Sequence, residues 1–141
     1  MASKMHVDVV SAEKSIFSGE AESLVAPAEM GEVGILPQHA EMLCRLKPGQ
    51  VRVKLADSGE EQLLYVSGGI LEVQPHVVTI LSDHAERAAD LDEAAVLEAK
   101  QRAEQALEGQ ATDFDYAKAK AELAELTAQL AAISQLRKVK H

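Results

Sequence analysis

The sequence predicts a two-domain α+β protein. An N-terminal antiparallel β-sandwich is expected over residues 1–85, and a C-terminal antiparallel helix-turn-helix hairpin over 86–141. Three observations carry this reading. Pro27, Pro37, Pro48, Pro75 and seven of the eight glycines precede residue 84, and an alanine-rich tract containing only Gly109 follows. Gly and Pro punctuate short strands, whereas Ala is the best helix former. The first part carries short apolar runs with period-2 alternation, and the second carries apolar residues at alternating spacings of three and four.

His6-Val7-Asp8-Val9-Val10 alternates as a strand. Ser15-Ile16-Phe17 reads as a short second run ending at Ser18-Gly19, and Ser23-Leu24-Val25-Ala26 as a third stopped by Pro27. Gly31 to Pro37 reads as a loop and a brief strand. Val51, Val53 and Leu55 alternate with Arg52 and Lys54, giving one face to a core and one to water. Asp57-Ser58-Gly59 turns the chain, so that Leu63-Leu64-Tyr65-Val66 returns beside that strand. The Gly68-Gly69 pair predicts a sharp corner or a close backbone approach. A phosphate cradle is the sharper alternative, but no Gly-x-Gly-x-x-Gly and no Gly-Lys-Ser/Thr is present, and a strand rather than a helix follows. Ile70 to Val73 then pairs with Val77 to Leu81 across Gln74-Pro75-His76.

Asp90-Leu91-Asp92-Glu93 offers an acidic N-cap with Glu three residues on, a variant of the capping box. Gly109 is a natural C-terminal stop, and Thr112 or Asp113 can cap the next helix. That helix carries Tyr116, Ala119, Leu123, Leu126, Leu130 and Ile133, a heptad seam that ends where Arg137 takes the next slot. Val96, Ala99, Ala103 and Ala106 repeat the same spacing on the first helix, so small alanines face large leucines across an αα-hairpin. Such a hairpin is either a structural cover for the sandwich or an arm that reaches a partner, since core and interface stripes look alike.

The net charge of -9 argues against nonspecific nucleic-acid binding, and 3% aromatics without Trp argue against a stacking pocket. The lone Cys44, beside Leu43 and Leu46, reads as a small buried hydrophobe. His6, His39, His76, His84 and His141 show no metal spacing, and His39 reads as a solvated loop histidine. Ser67 lacks the Gly-x-Ser-x-Gly elbow of a nucleophile. No leader pattern opens the chain and no apolar run reaches about 18 residues, so a cytosolic or peripherally attached protein is expected. With no nucleophile, base and orienter together, a non-catalytic interaction subunit without metal or cofactor is expected.

His6-Val7-Asp8-Val9-Val10-Ser11, Gly31-Glu32-Val33-Gly34-Ile35-Leu36-Pro37, Leu46-Lys47-Pro48-Gly49, Ser67 to Val73 and Asp90-Leu91-Asp92-Glu93-Ala94 follow one another in a specific order. In that order and spacing the sequence resembles the epsilon-subunit family of F-type ATP synthases over nearly its whole length. The resemblance implies a β-sandwich followed by a helical hairpin. It also implies a rotor role in the central stalk, against the gamma subunit and the c-subunit ring, coupling proton transport to ATP synthesis. The hairpin would restrain ATP hydrolysis by the alpha/beta catalytic head. The implied location is peripheral, at the cytoplasmic face of the bacterial inner membrane. By position, Glu32 and His39 match the loop presented to the c ring, while Lys118, Lys120, Arg137 and Lys138 match basic positions used against an acidic segment of the beta subunit. Two departures stand out. Gln38 replaces the glycine that many relatives have after the loop proline. Ala95 replaces the arginine of an ATP-binding Ile/Leu-Asp-x-x-Arg-Ala segment, here Leu91 to Val96, so ATP binding is doubtful. A freestanding adaptor using the hairpin on an unrelated partner is the alternative reading, and a hydrolase using Ser67 is a third.

Overall fold

The computed structural model describes residues 3–108 and 113–140, and side chains through Lys138 except those of 113–115. Nine strands are followed by a 3-10 turn and two helices. They are β1 (Met5–Ser11), β2 (Ser15–Ala28), β3 (Gly31–Ile35), β4 (Met42–Leu46), β5 (Gly49–Leu55), β6 (Glu61–Val66), β7 (Gly69–Val73), β8 (Val77–Ser82) and β9 (Ala85–Arg87), then the turn Ala88–Asp90, α1 (Glu93–Glu108) and α2 (Asp113–Lys140). The strands form one continuous sheet ordered β1-β8-β7-β4-β2-β5-β6-β9, with β3 on β2. A further β1–β2 pairing bends the sheet back on itself. Met5, Val7, Val9, Leu24, Ile35, Val51, Val53, Leu64, Leu71 and Ile80 fill the space inside, all essentially sealed from water.

The sandwich and hairpin stand as expected, with specific differences. The sheet is mixed, because β1 and β8 run parallel while every other pair is antiparallel. The two runs at Ser15–Phe17 and Ser23–Ala26 are halves of one fourteen-residue strand. Gly19 does not break it. The Phe17 ring lies over that glycine, 3.2 Å from where a Cβ would sit, so the aromatic covers the gap in the pleat. Pro27 does not stop it either. Its carbonyl accepts from Lys47 N at 2.9 Å and its ring packs where Gly49 leaves room. This long strand serves β1 with its first half, β5 with its middle, and β3 and β4 with its end.

Two strands are absent from the sequence reading. β4 turns Leu43 outward, so its alternation is masked by an exposed leucine. β9 has three residues and pairs with β6, so sheet pairing runs to Arg87, two residues beyond the expected boundary at 85/86. The Gly68-Gly69 corner is structural. Both have positive φ, +112° and +131°, and a Cβ on Gly69 would lie 2.0 Å from Leu81 O.

The cap of α1 is Asp92 rather than Asp90. Asp92 Oδ1 accepts from Ala94 N at 3.1 Å and Ala95 N at 3.3 Å. Asp90 instead closes the 3-10 turn, in which Leu91 N donates to Ala88 O. The Gly109 stop and the Thr112 cap lie outside the described residues, as does the Asp113 side chain. Between the helices, Val96, Ala99 and Ala103 pack against Leu123, Leu126, Leu130 and Ile133. Ala106 and Tyr116, at the distal end of the expected stripes, are exposed.

Candidate functional site

Strands β5 and β6 and the 3-10 turn are where the two domains meet, and β6 shows how. Its run Leu63-Leu64-Tyr65-Val66 is buried at every position. A strand with one wet face alternates, whereas a continuous apolar run needs cover on both sides. Leu64 and Val66 point into the sandwich, and Leu63 and Tyr65 point outward against Ala88, Ala128, Ala132 and Leu136. Ala128, Ala132 and Leu136 recur every four residues, which places them on one face of α2. The α2 helix thus has two apolar faces, a leucine seam toward α1 and an alanine stripe toward the sheet. Sequence reading found the first and missed the second, because alanines at that spacing do not stand out in an alanine-rich helix.

Polar groups at this seam are desolvated. Tyr65 is fully buried and its hydroxyl has no hydrogen-bond partner in the protein. Burial pushes its phenol up to about 12. Gln129 of α2 lies beside the hydroxyl and offsets the shift in part, without reaching hydrogen-bond geometry, while Glu125 and Glu86 add to it. Gln50, opposite Tyr65 in the β5–β6 ladder, also buries an unpartnered Oε1. The His84 ring tilts against Tyr65 with centroids 5.9 Å apart. Glu125 on α2 is held above the usual carboxylate range, chiefly by burial, with Glu122 and Asp83 adding to the effect and His84 opposing it.

Below the seam, Arg137 pairs with Glu93 in the first turn of α1. The side chain expected to meet a partner is therefore engaged within the hairpin when the arm is docked. Lys138, Lys118 and Lys120 are exposed. The structure does not gather these four cations. Lys118 and Lys120 lie roughly 25–30 Å along α2 from Arg137 and Lys138, toward the end of the hairpin distal to the seam.

Glu32 and His39 are likewise apart. Glu32 stands opposite Pro27, beside the fully exposed Met30 at the β2–β3 turn, and accepts from Arg52 at 3.0 Å. His39 lies beyond the other end of β3, half-buried rather than freely solvated, with Nδ1 2.7 Å from Ala40 O. On the order of 10 Å of strand separates the two positions. Cys44 is half-buried at the margin of the core. Ser67 serves the corner. It accepts from His84 N at 3.1 Å and lies 3.3 Å from Ser82 Oγ, which donates to His84 O.

A second surface is the outer face of β4, β7, β8 and β1. The ladders align Arg45, Ile70, Leu81 and Val10 in one row, with Leu43 in the next. Leu43 is 69% exposed, and Ile70 and Leu81 are nearly half exposed. Beside this patch, His6 bonds Asp8 and Glu20 at 3.0 and 3.2 Å, and Ser18 donates to Asp8 at 2.7 Å. Glu20 above all, and then Asp8, hold the His6 imidazole above its ordinary pKa against the opposing effect of its slight burial.

Comparison with known proteins gives a consistent picture. Residues 4–88 match the family model described as the ATP synthase delta/epsilon chain β-sandwich domain, and residues 89–134 match the long α-helix domain of the same chain. The chain is 62% identical over 138 residues to the ATP synthase epsilon chain of Thioalkalivibrio sulfidiphilus, covering 98% of each. It is 60% identical over 141 residues to that of Nitrosomonas eutropha, covering all of both. Among solved structures, a chain of the Euglena gracilis mitochondrial ATP synthase superposes with a TM-score of 0.82 at 19% identity, covering 92% of this chain and 81% of that one. A chain of the Tetrahymena thermophila mitochondrial ATP synthase central stalk and c-ring superposes with a TM-score of 0.59 at 19% identity, covering 93% and 97%. At that identity the two superpositions speak for the fold.

Proposed function

The chain belongs to the ATP synthase epsilon-chain family, and from that premise we propose that its sandwich is the rotor attachment and its hairpin a releasable brake on ATP hydrolysis. The apolar patch of Leu43, Ile70 and Leu81 supports docking of the sandwich on the gamma subunit, since an exposed apolar sheet face rimmed by polar groups suits a protein partner. The Glu32 end faces the c-subunit ring, with Met30 as an apolar contact and Arg52 holding the carboxylate in place. None of the described helices is long and apolar enough to cross a membrane. From family membership we further propose a peripheral subunit at the cytoplasmic face of the bacterial inner membrane, with the chemistry of ATP residing in the alpha/beta head.

The observation that carries the brake is the alanine-lined seam. Each alanine buries little apolar area, so at about 25 cal/mol per Å² the docked arm is held weakly, while alanine keeps the helices intact when lifted. Arg137 pairs with Glu93 inside the hairpin, so that pair travels with the arm when it lifts, and the exposed Lys138 beside it meets an acidic surface of the catalytic head. The test is ATP hydrolysis by the assembled enzyme with and without residues 92–141, a cut that leaves β9 and the 3-10 turn, with its closing Leu91 amide, in place. Faster hydrolysis after the cut is expected, and equal rates would reject the brake. Retained gamma binding by the same truncated chain tests the attachment separately. A pull-down that returns an unrelated protein and no gamma subunit would favour the adaptor reading.

The isolated chain is further proposed to bind ATP weakly or not at all. Ala95 offers no phosphate partner, and the first free amides of α1 are already satisfied by the Asp92 carboxylate. Calorimetry with ATP and magnesium checks this, and micromolar affinity would contradict it.

A further inference from the structure

The docked seam contains a fault at its centre. Tyr65 and Gln50 are directly opposed in the β5–β6 ladder, so their side chains share one sheet face. That face is the one covered by α2, since Tyr65 packs with Ala132 and Leu63. Both Tyr65 Oη and Gln50 Oε1 are buried there without a protein partner. Gln129 of α2 lies beside the Tyr65 hydroxyl and partly eases its burial, without the geometry of a full hydrogen bond. Native interiors seldom leave buried polar atoms unpaired, because each carries the full penalty of its lost hydration. Here two occur side by side, at a contact where Ala88, Ala128 and Ala132 meet Leu63, Leu91 and Leu136. A phenylalanine and an aliphatic residue would fill the same positions without penalty.

We propose that Tyr65 and Gln50 form a built-in release element. Docking α2 strips water from both atoms without replacing the hydrogen bonds, and lifting the hairpin restores them, so the arm leaves more readily than its apolar contacts alone would allow. The inference rests on the reading of the hairpin as a mobile arm, and it assigns the set point of that equilibrium to these two side chains rather than to the ion pair at Arg137. In the lifted state water hydrates the Tyr65 hydroxyl, so removing the hydroxyl takes away a hydration that docking would have to give up and shifts the balance toward the docked arm.

The full-length isolated chain carries the test. Cys44→Ser frees the background, and spin labels on Ser58→Cys and Ser134→Cys report the distance between the β5–β6 turn and α2. Both serines are exposed, so neither label disturbs the seam. Two distance populations are expected in the parent. Tyr65→Phe, which keeps the ring, raises the docked-to-lifted ratio about tenfold, within the range expected for relieving a buried unpaired hydroxyl. Gln50→Met shifts the ratio the same way. Two populations whose ratio is unchanged or lowered by Tyr65→Phe would overturn the release element and leave the mobile arm standing. A single docked distance in the parent would overturn both.

Discussion

Across the thickness of one strand, β6, the protein makes two different interfaces. On the sandwich side, Leu64 and Val66 meet valines, leucines and isoleucines that are completely sealed. On the other side, Leu63 and Tyr65 meet Ala88, Ala128, Ala132 and a single large apolar side chain of α2, Leu136, with two polar atoms left unpaired. Large branched side chains interlock and fix a unique arrangement. Alanines against a flat face give contact without interlocking. The first interface is built to persist and the second to separate.

The largest expected effect comes from breaking the first side. Leu64→Ala removes a fully buried side chain and should cost about 2–5 kcal/mol, with calorimetry showing loss of the sandwich transition or a fall in its Tm of many degrees. Breaking the second side should leave that transition in place. Ala132 is completely buried against β6, so Ala132→Leu overpacks the seam by about 1–3 kcal/mol. The arm should lift while the sandwich melts as before. A large drop in sandwich Tm would show that the two interfaces are not separable.

Proton linkage at the seam sharpens the contrast further. Glu125 is raised in the docked state, first by burial and then by Glu122 and Asp83, with His84 opposing. A carboxyl with a raised docked pKa favours docking fully below its undocked value. That preference is lost as pH rises through the docked value. Docked population should therefore fall as pH climbs from the ordinary carboxylate range toward neutrality. Glu125→Gln should flatten this dependence and increase docking at neutral pH. The readout is the docked fraction by spin-label distances across pH, and an unchanged slope in the variant would remove Glu125 as the cause.

The smallest effect belongs to the Arg137–Glu93 pair. Arg137 is 63% exposed, so its ion pair should contribute less than about 1 kcal/mol and less again in high salt. Glu93→Gln should change the docked fraction little, yet leave Arg137 free for the acidic surface of the head. Arg137→Ala with Lys138→Ala should relieve inhibition in the assembled enzyme without altering sandwich stability. Inhibition equal to the parent's at low and high salt would leave the basic end with no role beyond the helix terminus.

Legibility in the sequence followed the range of the interactions. β1, β5, β6, β7 and β8 were visible because alternation and turn residues are local signals. The Gly68-Gly69 corner was visible because two adjacent glycines in a strand have few other uses. The continuity of β2 was hidden because Gly19 and Pro27 look like breaks. Only Phe17 and Gly49, packed against them, make them tolerable. β4 and β9 were hidden because an exposed Leu43 blurs the first and the second is three residues long. For the candidate site, residue types were legible and their grouping was not. Glu32 and His39 are neighbours in sequence yet stand at opposite ends of β3, because an extended strand carries the chain away at over 3 Å per residue.

By itself the sequence determined the two-domain division, most of the strands, the αα-hairpin and the leucine seam of α2. Each depends on the intrinsic preference of a short segment and on the period of its apolar residues. Only the tertiary structure decided which second face of α2 covers the sheet, that β1 closes on β8 in parallel, that Arg137 meets Glu93, and that Tyr65 is buried without a partner. These are contacts between segments far apart in the chain, and their energies exist only once both surfaces have been brought together and water removed from between them. A stripe of Ala128, Ala132 and Leu136 reads as ordinary helix former until a particular strand lies beneath it.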